Sequence, residues 1–399
     1  MALPCFSDDW LTRERLRVYP RVFFAIYLLV IFSWVLMADG VFDSRGKPLG
    51  TDFTSFYASA QLAMNGQAPF AYDFVAQFEA EKAALGPELV DFYSFSYPPT
   101  FMLLLMPLGA LPYLAALFVW QSLTLTFFVT MVVRLAGRSE AILLTLAFPA
   151  VFVTLGHGQN AFLTAGLFAG TLFYLDRKPV VAGLLIGLLT FKPHLGVLIP
   201  IVLMESRRWR VFFYAIVASV SFAALSWVVL GPETWGAFFA STGKAATVLN
   251  EGMVPFYKMQ SLYTSLRAAG LVAGAAYVLH GALALGAAMT VLWVWRRQVD
   301  IRLKSAALGA GALLMTPFLL DYDLAILVVP IACLPSYGLS FGFRPGLINL
   351  LCLAWLAPIM VRFLNFLVAI PWTSLLLLAL LYQIVRLCHV HIAEHEVLP

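Results

Sequence analysis

Charge is what this chain most lacks. Aspartate, glutamate, lysine and arginine make up 12% of its 399 residues, about half the ~25% usual in a soluble domain. Hydrophobic residues reach 62%, against roughly 45–50% in soluble domains. That balance excludes a water-soluble globular fold and puts the bulk of the chain in lipid. Cysteine is scarce too. Cys5, Cys333, Cys352 and Cys388 lie at the amino end, in apolar segments or near the carboxyl end, and none falls in a long polar loop. A disulfide scaffold is therefore not expected. No short internal repeat and no low-complexity tract occurs. The formal net charge of +4 gives no ground for a nucleic-acid partner, because basic residues in such a chain mark cytoplasmic loops.

What is abundant is apolar length. Residues 22–38, 113–133, 211–230, 271–295 and 372–385 are nearly uncharged runs. Each approaches or exceeds the roughly 17–25 residues that cross a bilayer as a helix. Arg13, Arg15, Arg17 and Arg21 precede the first run and mark residues 1–21 as a cytoplasmic amino terminus ahead of a retained signal-anchor. Residues 39–97 then emerge outside, with three basic residues against eight acids. Later basic stretches, "ESRRWR" (205–210) and "WRRQVDIRLK" (295–304) among them, read as cytoplasmic. So does the tail from residue 389, whose three histidines read as a wet terminus rather than a metal site. The outer face receives 156–160, 191–194, 231–267, 317–323 and 365–371. Two segments must depart from simple spans in this frame. Residues 98–112 dip in and return, and 179–204 form two half-length helices meeting at Lys192-Pro193. The alternative makes both ordinary spans and inverts the loops between them.

Five polar clusters interrupt the apolar background. Asp52 precedes Phe53, Phe56, Tyr57, Ala60 and Met64, which recur at helical spacing and predict an amphipathic helix on the outer membrane surface. Asp52 is either its N-cap or a general base at the water–lipid border. "FSYPPTF" (95–101) opens a helix through its prolines or holds a rigid loop around a ligand. "LGHGQNAFL" (155–163) offers His157, Gln159 and Asn160 to sugar hydroxyls, or to water in a turn. "LLTFKPHLGVL" (188–198) buries Lys192 and His194 in an apolar run, where ionisable groups are costly and usually functional. Lys192 suits a phosphate, unless it snorkels. "MTPFLLDYDLAIL" (315–327) sets Asp321 and Asp323 around Tyr322. These carboxylates would bind a metal, hold sugar hydroxyls or pair with Lys192, unless they sit in a solvated loop or cap a helix.

In order along the chain, these stretches resemble glycosyltransferase family 87, the membrane mannosyltransferase-like proteins. The likeness runs over about residues 50–327. It is carried by "TDFTSFYASAQLAMNGQAPFAYD", "FSYPPTFMLLLMPLGALP", "GHGQNAFLTAGLF", "AGLLIGLLTFKPHLGVLIPIVLMESRRWR", "MQSLYTSLR" and "PFLLDYDLAIL". The resemblance implies an all-α, polytopic, C-type glycosyltransferase fold with about 10–13 transmembrane or half-membrane helices, forming one domain with its bundle over 98–388. It implies a polyprenyl-phosphate sugar as donor and a lipid or glycan as acceptor. It makes Asp52 the catalytic base and places Lys192, His194 and Arg267 around the donor phosphate. Tyr57, Tyr97, His157, Gln159, Asn160, Gln260, Ser261, Asp321, Tyr322 and Asp323 become sugar or acceptor contacts. Met259 stands where an Asn often precedes the Gln-Ser pair, and Asp321-Tyr322-Asp323 stands where some members carry a histidine-rich motif. No cofactor is expected, since the lipid-linked sugar is a substrate, and a divalent metal at Asp321 and Asp323 is left open. The expected setting is the inner (plasma) membrane, with the site facing the periplasm or exterior. A multi-pass transporter or flippase, or a non-enzymatic envelope scaffold, is the alternative.

Overall fold

The computed structural model describes residues 10–252 and 254–396; Cys5 and residues 397–399 of the tail lie outside the described residues. Every regular element among those described is helical. Seven helices are long and apolar enough to cross a membrane: Glu14–Leu36, Tyr113–Ala136, Trp209–Leu230, Ala273–Arg296, Asp321–Phe341, Leu347–Leu367 and Trp372–Ala393. Four shorter apolar helices, Pro99–Ala110, Ala161–Tyr174, Pro179–Leu189 and Pro193–Glu205, accompany them. The eleven segments fall inside the expected range. This is a multi-pass, all-α membrane protein.

Proline sets where several of these helices begin. Pro99, Pro149, Pro179, Pro193 and Pro232 each sit in a first turn, where the missing N–H has no helical partner to lose. Pro193 also breaks the 179–205 segment. It forces Lys192 out of helical geometry, to φ −126° and ψ 67°, by clash with the preceding residue. The result is Pro179–Leu189, a single turn Pro193–Gly196, then Leu198–Glu205, the divided helix that the sequence predicts. The half-helix Pro179–Leu189 lies against Trp209–Leu230 at backbone distance. A Cβ on Gly183 would come within 2.4 Å of Tyr214 Cβ, and one on Gly187 within 2.4 Å of Ala218 Cβ, the close approach that small residues permit in membranes. Residues 99–110 form an α-helix Pro99–Leu105 and a 3-10 turn Met106–Ala110. Together they are about 20 Å long, short of the ~30 Å hydrocarbon core.

Three expectations need correction. The helix Phe53–Met64 is not a surface helix, because ten of its twelve residues are buried. Its hydroxyls find partners inside the protein: Thr54 Oγ1 lies 3.2 Å from Tyr113 OH, and Ser59 Oγ donates to Gln77 Oε1 at 3.3 Å. The segment 321–327 is not a solvated loop. Asp321, Tyr322 and Asp323 are buried in a 3-10 helix. Nor is the C-terminal segment a wet tail throughout, since Trp372–Glu396 is one helix and His391 is buried with Nδ1 3.2 Å from Tyr337 OH.

Candidate active site

The turn joining helices Pro149–His157 and Ala161–Tyr174 meets the start of Phe53–Met64. Gly158 makes this contact possible: its φ is +65°, and a Cβ there would lie 2.6 Å from Phe53 Cβ. The backbones join where Asp52 N donates to His157 O at 2.9 Å. Gln159 is thereby brought beside Asp52, and its Nε2 donates to Asp52 Oδ2 at 2.9 Å. The amide cannot face the other way, because Gln159 Oε1 already accepts from Asn160 N at 2.8 Å and from Tyr97 OH at 3.3 Å. Asp52 occupies the N-cap position but has helical φ −73° and ψ −22°, and its carboxylate makes no cap hydrogen bond. The capping reading of Asp52 fails on that geometry.

Asp52 opens onto a cavity of about 1000 Å³. Tyr97, His157, Gln159, Lys192, His194, Asp321, Tyr322 and Asp323 line the same cavity, so most of the polar clusters picked from the sequence converge. The Lys192 ammonium, left outside the helix by Pro193, donates to Asp323 Oδ1 at 2.6 Å and lies 5.1 Å from the Tyr322 ring centroid. Asp323 Oδ2 accepts from Leu320 N at 3.2 Å. Asp321 Oδ2 accepts from Arg362 Nη1 at 3.1 Å. Arg362 Nη1 also lies 3.3 Å from His157 Nε2. Because guanidinium has no acceptor, Nε2 carries the lone pair. The other ring nitrogen, Nδ1, then donates to Thr51 Oγ1 at 3.0 Å. A divalent ion at Asp321 and Asp323 would have to displace both cations.

The ionic balance of the wall is informative. Asp52, Asp321 and Asp323 face Lys192, Lys258 and Arg362. Two pairs form, Lys192 with Asp323 and Arg362 with Asp321. Among the described residues, Asp52 and Lys258 make no ion pair. One wall of the cavity, residues 92–98, is tied down from below. Glu81, on helix Phe74–Leu85, accepts from Tyr93 N at 3.1 Å and from Gln77 Nε2 at 3.3 Å. Burial without a cation pushes the Glu81 carboxyl up to about 8.

Five sequence-predicted residues do not reach this cavity. Tyr57 OH donates to Leu111 O at 2.7 Å. Asn160 is fully buried away from the cavity wall. Gln260 Oε1 accepts from Asn365 Nδ2 at 2.9 Å and Thr373 Oγ1 at 3.2 Å. Ser261 caps Leu262–Ala268 and donates to Pro317 O at 2.7 Å. Arg267 donates to Leu271 O at 2.8 Å and Asn250 O at 2.9 Å. Gln260, Ser261 and Arg267 hold the 250–271 segment together, and Gln260 ties it to the last two helices. Lys258 and Arg362 were missed instead. Arg362 had a signal, being the one charge in Leu347–Leu367, and a charge inside an apolar span points to function.

The family model for glycosyltransferase family 87 matches residues 95–317, more than half of the chain. The chain belongs to glycosyltransferase family 87. It is a membrane glycosyltransferase. No curated protein matches this family 87 chain, and no solved structure does. The matched residues include Tyr97, His157, Gln159, Lys192, His194 and Lys258. Asp52, Asp321, Asp323 and Arg362 lie outside them and are joined to the matched residues of the family 87 enzyme by the shared cavity.

Proposed function

We propose that this family 87 enzyme transfers mannose or another hexose from a polyprenyl-phosphate donor to a hydroxyl of a lipid or glycan acceptor. The reaction takes place at the extracytoplasmic face of the plasma membrane. Asp52 is the general base. It takes the proton from the acceptor hydroxyl as that oxygen attacks the anomeric carbon, and the bond from that carbon to the phosphate oxygen breaks. The pair of electrons leaves with the polyprenyl phosphate, whose charge is met by the cations of the wall, Lys192, Arg362 and Lys258. Gln159 keeps the Asp52 carboxylate aimed without neutralising it, and Tyr97 and the His157 ring offer surfaces and hydrogen bonds to the sugar.

One observation carries the reading. Asp52 is the cavity carboxylate held by an amide instead of a cation, so its lone pairs remain available to a proton. The test is sugar transfer by purified protein, given polyprenyl-phosphate hexoses and membrane-lipid acceptors. Wild type should transfer, and Asp52→Asn should transfer about 10²–10⁴-fold more slowly, the usual contribution of a general base, while still binding the donor. Asn and Ser variants turning over at near wild-type rates would move the base elsewhere.

A further inference from the structure

The helices that carry the catalytic cavity have a second polar cluster at their other ends. Trp209–Leu230 lines the cavity with Ser219, Val220 and Ala223, and its first turn lies about 17 Å away along the helix axis. There, beside Arg208, is a separate cavity of about 480 Å³. Four cations, Arg207, Arg208, Arg296 and Lys304, face two carboxylates, Asp176 and Glu205. Both carboxylates are fully engaged. Arg208 Nε and Nη2 reach the two oxygens of Asp176, each at 2.9 Å. Arg296 reaches those of Glu205 at 2.8 and 3.1 Å. Such two-pronged pairs are the strongest arginine contacts.

Two positive charges are left over. Neither Arg207 nor Lys304 makes an ion pair among the described residues. Lys304 is half-buried, and burial together with the neighbouring Arg208 holds its ammonium below its ordinary range. Arg207 stands at φ +54°, the one residue other than glycine described with positive φ. That left-handed residue closes the helix Leu198–Glu205, with Arg207 N donating to Met204 O at 3.1 Å and Arg208 N to Leu203 O at 2.9 Å, and so turns the chain into the cavity. No side chain caps the helix Trp209–Leu230 that opens here, so its free N–H groups and positive dipole end add to the field. Trp209, the first residue of that helix, is 56% exposed, as an aromatic residue at a membrane–water boundary would be.

We infer that this cavity binds a phosphate-bearing anion, held by Arg207 and Lys304, and that it is distinct from the catalytic site. The shared chemistry is a phosphoryl group, supplied by the headgroup of an anionic phospholipid or by free phosphate. Basic pockets between membrane helices take such headgroups, and this one lies at the end that the loop charges assign to the cytoplasm. A bound phosphate would tie Arg207, between the helices Leu198–Glu205 and Trp209–Leu230, to Lys304 on Ile301–Leu314.

Native mass spectrometry of the purified full-length protein, offered phosphatidylglycerol or phosphatidylcholine, reads lipid retention. Calorimetric titration with inorganic phosphate reads the free ion. Wild type should prefer phosphatidylglycerol, and Arg207→Gln with Lys304→Gln should lower that preference about 25-fold, since each cation near an anionic headgroup is worth roughly a factor of five. Lys304→Arg, which keeps the charge, should retain it. Phosphate binding abolished by the same double variant, without lipid preference, supports the site with free phosphate as its ligand. Should the double variant fail to fold, the exposed Arg207→Gln alone must still lower the preference about fivefold. Equal retention of both lipids with no phosphate binding overturns the inference, as does a lipid preference or phosphate affinity unchanged in the variants.

Discussion

Lys192 and Asp323 are both buried and lie 2.6 Å apart, which alters what a substitution at either one can reveal. Lys192→Ala would strand the buried Asp323 carboxylate without its paired cation, and breaking a buried pair from one side typically costs about 3–5 kcal/mol. Loss of activity in that variant would therefore mix collapse with chemistry. Lys192→Met combined with Asp323→Leu removes both charges at similar volume, and such replacements are often neutral or stabilising. The double variant should melt within a few degrees of wild type, the single variant well below it, and neither should transfer sugar. If the double variant transfers normally, Lys192 is structural and the phosphate rests on Arg362 and Lys258. Sequence could flag Lys192, because a cation in an apolar run is conspicuous. It offered Asp323 as one partner among metal, sugar and solvent, since nothing in "DYD" says which carboxylate turns to which helix. Arg362 was equally conspicuous and is the lesson at this scale: the same rule applied to "PIMVRFLNF" would have found it.

Helices were legible wherever length and proline marked them, as at Lys192-Pro193. They were misread where polarity was taken for exposure. In Phe53–Met64, Thr54, Ser55 and Ser59 look like a wet face on a helical wheel. Each instead bonds within the protein, Ser55 Oγ to Asp52 O at 2.9 Å, and a hydroxyl satisfied internally carries no information about water. The next α-helix, Phe74–Leu85, holds an acid that no pattern in the sequence singles out. Glu81 is buried and makes no ion pair among the described residues, and burial raises its carboxyl from 4.5 to about 8. Below pH 4.5 it is protonated folded or unfolded and costs nothing. Between 4.5 and about 8 only the unfolded chain ionises, so stability drains as pH rises, and above about 8 the loss is complete. Wild type should therefore melt at progressively lower temperature from pH 5 to 8.5. Glu81→Gln keeps an acceptor for Tyr93 N and removes the charge, so its melting curve should lose that slope. Parallel slopes for the two proteins would mean that Glu81 is solvated and does not govern the 92–98 wall.

Across the whole molecule, two polar centres sit at opposite ends of one set of helices. The Asp52 cavity gathers residues from the acidic side of the chain, and the arginine-rich cluster gathers "ESRRWR" with "WRRQVDIRLK". The orientation proposed above, which follows loop charge, has the second in the cytoplasm and the first outside. Single cysteines in a cysteine-free background test this. Glu79 and Gly243 are exposed on the Asp52 side, and a Cβ at Gly243 meets nothing within 4 Å. Arg210 and Arg297 are exposed at the other end. A membrane-impermeant maleimide added to intact cells should label Glu79→Cys and Gly243→Cys, and should reach Arg210→Cys and Arg297→Cys only after the membrane is opened. The reverse pattern would put Asp52 in the cytoplasm. It would leave family membership and the geometry around Asp52 untouched. It would, however, remove the reason for an extracytoplasmic reaction, because the acceptor would then have to be presented at the inner face.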